Sequence, residues 1–99
     1  MDLVLDWTES ALLDLEEIVR YIARDDPKAA QRIGEGIINS VEQLRTFPKS
    51  GRIVPEANDE CLREVLYSPY RIVYELHDQE GALSIVRVWH AARGSIEWA

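Results

Sequence analysis

The hydrophobic period of this chain changes once, near residue 47, and that change sets its fold class. Before it, apolar residues recur at three- and four-residue steps: Ala11, Leu12, Leu15, Ile18, Val19 and Ile22, then Ala30, Ile33, Ile37, Val41 and Leu44. Each set makes one stripe along an amphipathic helix. Beyond "FPKSGRIVPE" (47–56), which is dense in turn residues, the period becomes two. The runs "CLREVLY" (61–67), "YRIVYEL" (70–76) and "LSIVRVWHA" (83–91) read as strands with two unlike faces. Local signals punctuate the elements. Thr8 is suited to cap the first helix, with Glu9 in its first turn, and in "DDP" Asp26 caps the second while Pro27 takes its first position. So short a connection predicts an antiparallel helical hairpin. "SP" and "HDQEG" separate the three strand-like runs into a meander, and "LVLDW" (3–7) reads as a further strand of the same sheet. The predicted architecture is α+β in the order β-α-α-β-β-β, a helical hairpin packed on an antiparallel sheet, as a single domain over residues 1–99. Gly34 and Gly36 interrupt the second helix at about 1 kcal/mol each, which points to close approach of the first helix. "GEG" is too short for a phosphate loop.

Charge and composition narrow the function classes. The net charge is -7, split into -5 over residues 1–46 (ten acids, five bases) and -2 over residues 47–99 (eight acids, six bases). A protein that grips nucleic acid over its whole surface needs a basic field, so direct DNA binding is not expected. Any nucleic-acid contact has to come from a local arginine cluster or through a partner. One cysteine, Cys61, excludes an internal disulfide and a cysteine-based zinc site. No metal or cofactor is expected. No apolar run approaches the roughly 18 residues of a membrane span, and "MDLVLDWTES" lacks the basic and apolar regions of a signal peptide. A cytoplasmic protein is expected.

Two groups of residues are candidates for chemistry. In "YRIVYEL", Tyr70, Ile72, Tyr74 and Leu76 share one strand face, and Arg71, Val73 and Glu75 the other. With the first set on the helices, Arg71 faces the open side, where Arg63 and Arg87 can join it. The plainer reading is a solvated face with arginines paired to Glu64 and Glu75, since surface ion pairs are common. The second group is His90 and Arg93 in "VRVWHAAR" (86–93). A histidine suits acid–base work near neutral pH. His90 with Arg93, Arg63 and Arg71 has the residue types for metal-independent RNA cleavage: proton transfer at the 2′-hydroxyl and leaving oxygen, and cations for the phosphorane charge. Alternatively His90 closes its strand and bonds a backbone carbonyl. His77 lies in an acidic turn and reads as exposed. Cys61 has only Arg63 as a basic neighbour, so a nucleophilic role is not expected.

"WTESALLDLEEIVRYIARDDPKAAQRI", "FPKSGRIVPE", "LREVLYSPYRIVYEL" and "VRVWHAAR", in that order, resemble the RelE/ParE superfamily of bacterial toxins, the toxin halves of type II toxin–antitoxin modules. The resemblance runs from about residue 4 to residue 93. It implies a helical hairpin on an antiparallel sheet and one of two activities. The RelE branch implies a ribosome-dependent mRNA endoribonuclease, in which Arg63 and Arg71 match arginines of the middle strands and His90 the terminal histidine. Ala91 stands where several RNA-cleaving relatives carry tyrosine, and the lysine-rich middle of that branch is absent. The ParE branch implies a DNA gyrase inhibitor, as in plasmid stabilisation systems. "DPKAAQRI", "GRIVPE" and "YRIVYE" followed by H-x-x-R resemble it more closely. On that reading no catalytic residue is expected, and Arg63, Arg71, Arg87, His90 and Arg93 are structural or contact the target or antitoxin. The resemblance also implies a ParD-like antitoxin wrapping the hairpin and sheet, with Trp7, Leu12 and Ile38 as candidate contacts. A third reading is a degenerate toxin that acts only as a binding module. Trp98, in the C-terminal "GSIEWA" (94–99), has the choice of docking on the domain or engaging a partner.

Overall fold

The structure is a computed structural model that describes residues 3–96; Trp98 lies outside the described residues. Strand β1 (Val4–Trp7) leads into helices α1 (Glu9–Ala23) and α2 (Pro27–Glu42), with a 3-10 turn over Gln43–Arg45. Strands β2 (Arg52–Ile53), β3 (Leu62–Tyr67), β4 (Tyr70–His77) and β5 (Ala82–His90) follow, and a last 3-10 turn spans Ala91–Arg93. The spatial order is β1-β5-β4-β3-β2.

Local chemistry starts both helices as the sequence predicts. The Thr8 hydroxyl accepts from the Ala11 amide at 3.2 Å, and the Asp26 carboxylate from the Ala29 amide at 3.1 Å, each satisfying a donor the helix cannot. Thr8 has a second role. Its hydroxyl donates to the Ile85 carbonyl at 2.9 Å, which ties the start of α1 to β5. The stripe residues Ala11, Ile37, Val41 and Leu44 are buried against Tyr70, Ile72, Tyr74 and Leu76 of β4 and Leu83, Ile85 and Val88 of β5. Leu12, at the margin of its stripe, is exposed.

Three features depart from the sequence reading. First, the sheet is mixed. β1 runs parallel to β5, with Val4 opposite Ala82 and Trp7 opposite Ile85, while the remaining pairs are antiparallel. Second, the turn-rich stretch holds the two-residue strand β2, too short for any period to reveal. Third, the two helix glycines serve different neighbours. A Cβ at Gly34 would sit 3.2 Å from Val19 of α1, as expected, but one at Gly36 would run into the ring of Tyr67 on β3. Gly36 therefore admits the sheet, not the first helix.

The sheet face away from the helices is covered. Val54, Val73, Trp89 and Ile96 form a second apolar cluster, with Ala57, Leu62 and Val86 packed beside it. Beside this cluster runs a chain of alternating charges. Glu64, fully buried, accepts from Arg52 Nε and from Arg71 Nε, both at 2.6 Å. Arg71, only 8% exposed, also donates through both terminal nitrogens to the two Glu56 oxygens at 2.8 Å. Such bidentate, charge-assisted bonds are short and directional. The Arg71 bonds hold the Glu56 carboxyl at about 2, well below its ordinary 4.5, and the same contact raises the Arg71 pKa further above its already high value.

Two outcomes test this description. Ile37→Asp places an unpaired carboxylate at a fully buried position. It should remove several kcal/mol, on the order of the whole stability of a domain this size. A thermal unfolding scan showing an unchanged midpoint would refute the helix placement. The Glu56 carboxyl is depressed in the folded state, so its contribution is present above about 4.5 and is lost as pH falls towards about 2. After solvent screening this should be about 1–2 kcal/mol. Urea midpoints should fall over that window in the native chain and fall less steeply in Glu56→Gln. Parallel pH profiles for the two proteins would reject the pairing.

Candidate functional site

Each arginine singled out from the sequence is positioned by a different element. Arg71 lies opposite Leu66 and Trp89 in the sheet register and is enclosed by Glu56 and Glu64. Arg63 lies opposite Tyr74, which puts it on the other face of the sheet. It donates to the Gly51 carbonyl at 2.9 Å, while the Tyr74 hydroxyl donates to the Pro48 carbonyl at 2.7 Å and accepts from the Gly51 amide at 3.0 Å. Burial raises the Tyr74 phenol pKa, so that hydroxyl stays a donor. Together these contacts fix the turn before β2. Arg87 binds both oxygens of Asp14 on α1, at 2.7 and 3.0 Å. β1 ends opposite Ile85, so beyond it the outer edge of β5 has no strand neighbour among the described residues; Asp14 supplies the acceptor there, taking the Val88 amide at 2.9 Å. The three arginines do not share one open face.

His90 and Arg93, by contrast, come together. Tyr70 and His90 are opposite each other at the ends of β4 and β5, with ring centroids 5.2 Å apart in an edge-on arrangement. Opposite residues share a face, here the helix side, one step along the chain from Arg71 and Trp89 on the far side. His90 Nδ1 accepts from the Ala92 amide at 3.1 Å and so caps the last 3-10 turn, which places any neutral-ring proton on Nε2. That turn carries Arg93, whose guanidinium lies 4.9 Å from the centre of the Trp89 ring. The Trp89 indole N–H donates to the Gly94 carbonyl at 3.1 Å and steadies the same turn.

Tyr70, His90 and Arg93 form one wall of an open cleft of about 710 Å³. The last two turns of α1 form the other, with Ile18 and Ile22 on the inside and Arg20, Tyr21 and Arg24 towards the rim. Burial raises the Tyr70 phenol pKa, which keeps it protonated beside His90. The cleft therefore offers guanidinium groups, one imidazole and aromatic faces, a set suited to holding an anion or a peptide.

Sequence reasoning missed the α1 side of this cleft, although Glu17, Arg20, Tyr21 and Arg24 recur at helical spacing off the core stripe. It also missed Glu56 and Asp14 as the partners of Arg71 and Arg87. Glu75, expected to pair an arginine, instead bonds His77, whose pKa it raises. His77 is half-buried, and Cys61 is exposed. Leu12 and Ile38, the candidate partner contacts, are 51% and 45% exposed, whereas Trp7 packs against the main core. Among the described residues, no three His, Cys, Asp or Glu side chains are grouped to hold a metal ion, and no helix is long and apolar enough to cross a membrane.

Comparison with known proteins agrees with this architecture. The family model described as ParE toxin of type II toxin-antitoxin system, parDE, matches residues 5–94. The chain is 41% identical over 69 residues to the protein named "Putative toxin Y4kP" from Sinorhizobium fredii, covering 67% of this chain and 72% of that one. Among solved structures it resembles the chromosomal ParDE system from P. aeruginosa, with a TM-score of 0.73 and 21% identity over 89% of this chain and 95% of the other. It also resembles the toxin–antitoxin complex RelBE2 from Mycobacterium tuberculosis, with a TM-score of 0.68 and 20% identity over 91% and 99%. The YoeB/ParE toxin from Agrobacterium tumefaciens aligns with a TM-score of 0.64 and 18% identity over 89% and 98%. At these identities the structures speak for the fold, and the sequence matches for the family. The chain belongs to the ParE toxin family of type II toxin–antitoxin systems.

Proposed function

We propose that this toxin acts by inhibiting DNA gyrase and is neutralised by a ParD-like antitoxin. The observation that carries the choice of target is the separation of Arg71 from His90. A metal-independent ribonuclease needs a cation and a proton-transfer group converging on one phosphate. Of the arginines in that set only Arg93 stands beside His90, which faces α1; Arg71 is saturated by two carboxylates on the other side of the sheet, so the middle-strand cations do not converge on the histidine. Arg63 and Arg87 are committed to Gly51 and Asp14. An inhibitor of another enzyme needs complementary surface and no catalytic set of its own. The net charge of -7 also opposes autonomous binding to a phosphate backbone. The structural relatives include the ParDE system from P. aeruginosa and the toxin–antitoxin complex RelBE2, which supports an antitoxin partner.

The test is DNA supercoiling by purified gyrase with increasing toxin. Supercoiling should be lost, with linear DNA accumulating, and adding an antitoxin should restore it. Undisturbed supercoiling by a chain that is toxic in cells would reject the gyrase reading and return attention to ribosome-bound mRNA. In that case Arg71→Ala is a poor probe, because it leaves Glu56 without its partner and Glu64 with Arg52 alone, and should destabilise the fold by about 3–5 kcal/mol. His90→Gln, which removes the imidazole, is the cleaner substitution.

A further inference from the structure

Between α1 and the end of β5 the surface charge reverses sign. The chain as a whole carries -7, yet the cleft is lined by Arg20, Arg24 and Arg93 against a single carboxylate, Glu17. Arg20 shares its charge with Glu16 one turn earlier on α1. Arg24 and Arg93 form no ion pair with a described carboxylate, and Arg93 rests on the Trp89 ring. Below them lies an apolar floor of Ile18, Ile22 and Tyr70, and Tyr21, 72% exposed, stands at the rim. Arginine and tyrosine around an apolar floor are the residue types that dominate binding energy at protein interfaces.

We propose that this cleft receives an acidic, apolar segment of the antitoxin, whose carboxylates meet Arg24 and Arg93 while its apolar side chains cover Ile18, Ile22 and Tyr70. The proposal deepens the function given above and rests on it for the existence of an antitoxin. Charge complementarity selects the chemistry, since guanidinium groups pair bidentately with carboxylates. Tyr21, Tyr70 and His90 offer aromatic faces, but Ile18 and Ile22 match aliphatic side chains rather than bases and the protein's own charge repels a phosphate chain, which favours a peptide over a nucleic acid. The recessed position selects a segment that orders on binding, which reaches between a helix and a strand end where a rigid surface meets the rim first. The chain outside the cleft is net acidic, so the same antitoxin is expected to carry bases outside this segment. Its charge pattern would then fix its register on the toxin.

The test is fluorescence anisotropy with the full chain and three labelled probes: a short amphipathic peptide of Glu and Leu, the same peptide with Gln for Glu, and a single-stranded RNA. The Glu–Leu peptide should bind and weaken as salt is raised, whereas the Gln–Leu peptide and the RNA should bind at least about tenfold more weakly. Arg24→Glu and the Arg24→Glu/Arg93→Glu double variant should lose the Glu–Leu peptide by at least about tenfold, a difference of about 1.4 kcal/mol. Arg24→Lys should retain it. Arg24 is exposed at the end of α1, so the thermal midpoint of its single variants should stay close to that of the parent. Equal binding of the Gln–Leu peptide, preferential binding of RNA, or indifference to Arg24→Glu would each overturn the proposal. Gyrase assays separate the two ideas. Peptide binding without gyrase inhibition overturns only the target, and gyrase inhibition without peptide discrimination overturns only the cleft.

Discussion

A guanidinium buried in the middle of a sheet has to be neutralised where it stands, and much of the far side of this molecule follows from that requirement. Arg71 and Glu64 are both nearly inaccessible. Leaving either without its partner would strand a charge in a medium where water cannot compensate it. Glu64 comes from the neighbouring strand, but it is already shared with Arg52, so Arg71 needs a further acceptor, and Glu56 is the residue that supplies it. Recruiting Glu56 draws the segment around it across the sheet. That segment brings Val54 and Ala57 onto Val73 and Trp89, and Ile96 joins the same cluster from the C-terminal side. The ion pairs are better understood as specifying this arrangement than as stabilising it. A well-packed apolar set of similar volume would often be as stable, whereas breaking one member of the network is costly.

The same geometry separates two chemistries by a single residue step. Tyr70 and His90 are opposite each other, and so are Arg71 and Trp89. Alternation sends the first pair towards α1 and the second away from it. Residues adjacent in sequence therefore serve opposite faces: the arginine is consumed by the packing of one, and the histidine is left at the edge of a cleft on the other. Trp89 links them, since its ring is buried with Val73 and Ile96 yet carries Arg93, which belongs to the cleft, and its indole N–H holds the turn on which Arg93 sits.

What was legible in the sequence was what is local. The caps at Thr8 and Asp26 act within three residues, and the stripe through Ile37, Val41 and Leu44 repeats often enough to declare its face. The helix-facing set on β4 was legible for the same reason. What could not be read depends on long-range geometry. β1 pairs with β5 across 78 positions, and a period-two pattern says nothing of strand direction. The cover of the far face comes from Val54 and Ile96, single apolar residues in segments without periodicity. Glu75 was a natural guess as a partner for Arg71, yet four residues along one strand is about 13 Å, too far for an ion pair. Glu56, fifteen positions earlier, is the residue the chain brings back. The cleft was half legible. His90 and Arg93 stood out as chemistry, but the α1 residues facing them looked like an ordinary solvated helix surface until the fold set the two together.

Acidity and the cleft also have to be considered together. A body of net charge -7 favours approach of cationic surfaces from a distance, limited by a screening length of about 8 Å at physiological salt. Within that length the local field near Arg24 and Arg93 has the opposite sense. A partner with a uniformly basic face would be attracted to the molecule and then repelled at the cleft; one with a uniformly acidic face would fit the cleft and be resisted elsewhere. Only a mixed partner satisfies both, and a mixed pattern is specific because a shift in register puts like charges together. The small number of lysines sharpens this selection. Of the eleven basic residues nine are arginines, whose planar guanidinium groups reward correctly placed carboxylates with paired bonds and give much less to misplaced ones. In the proposed complex, the placement of a few charges around an apolar floor is what distinguishes one partner segment from another.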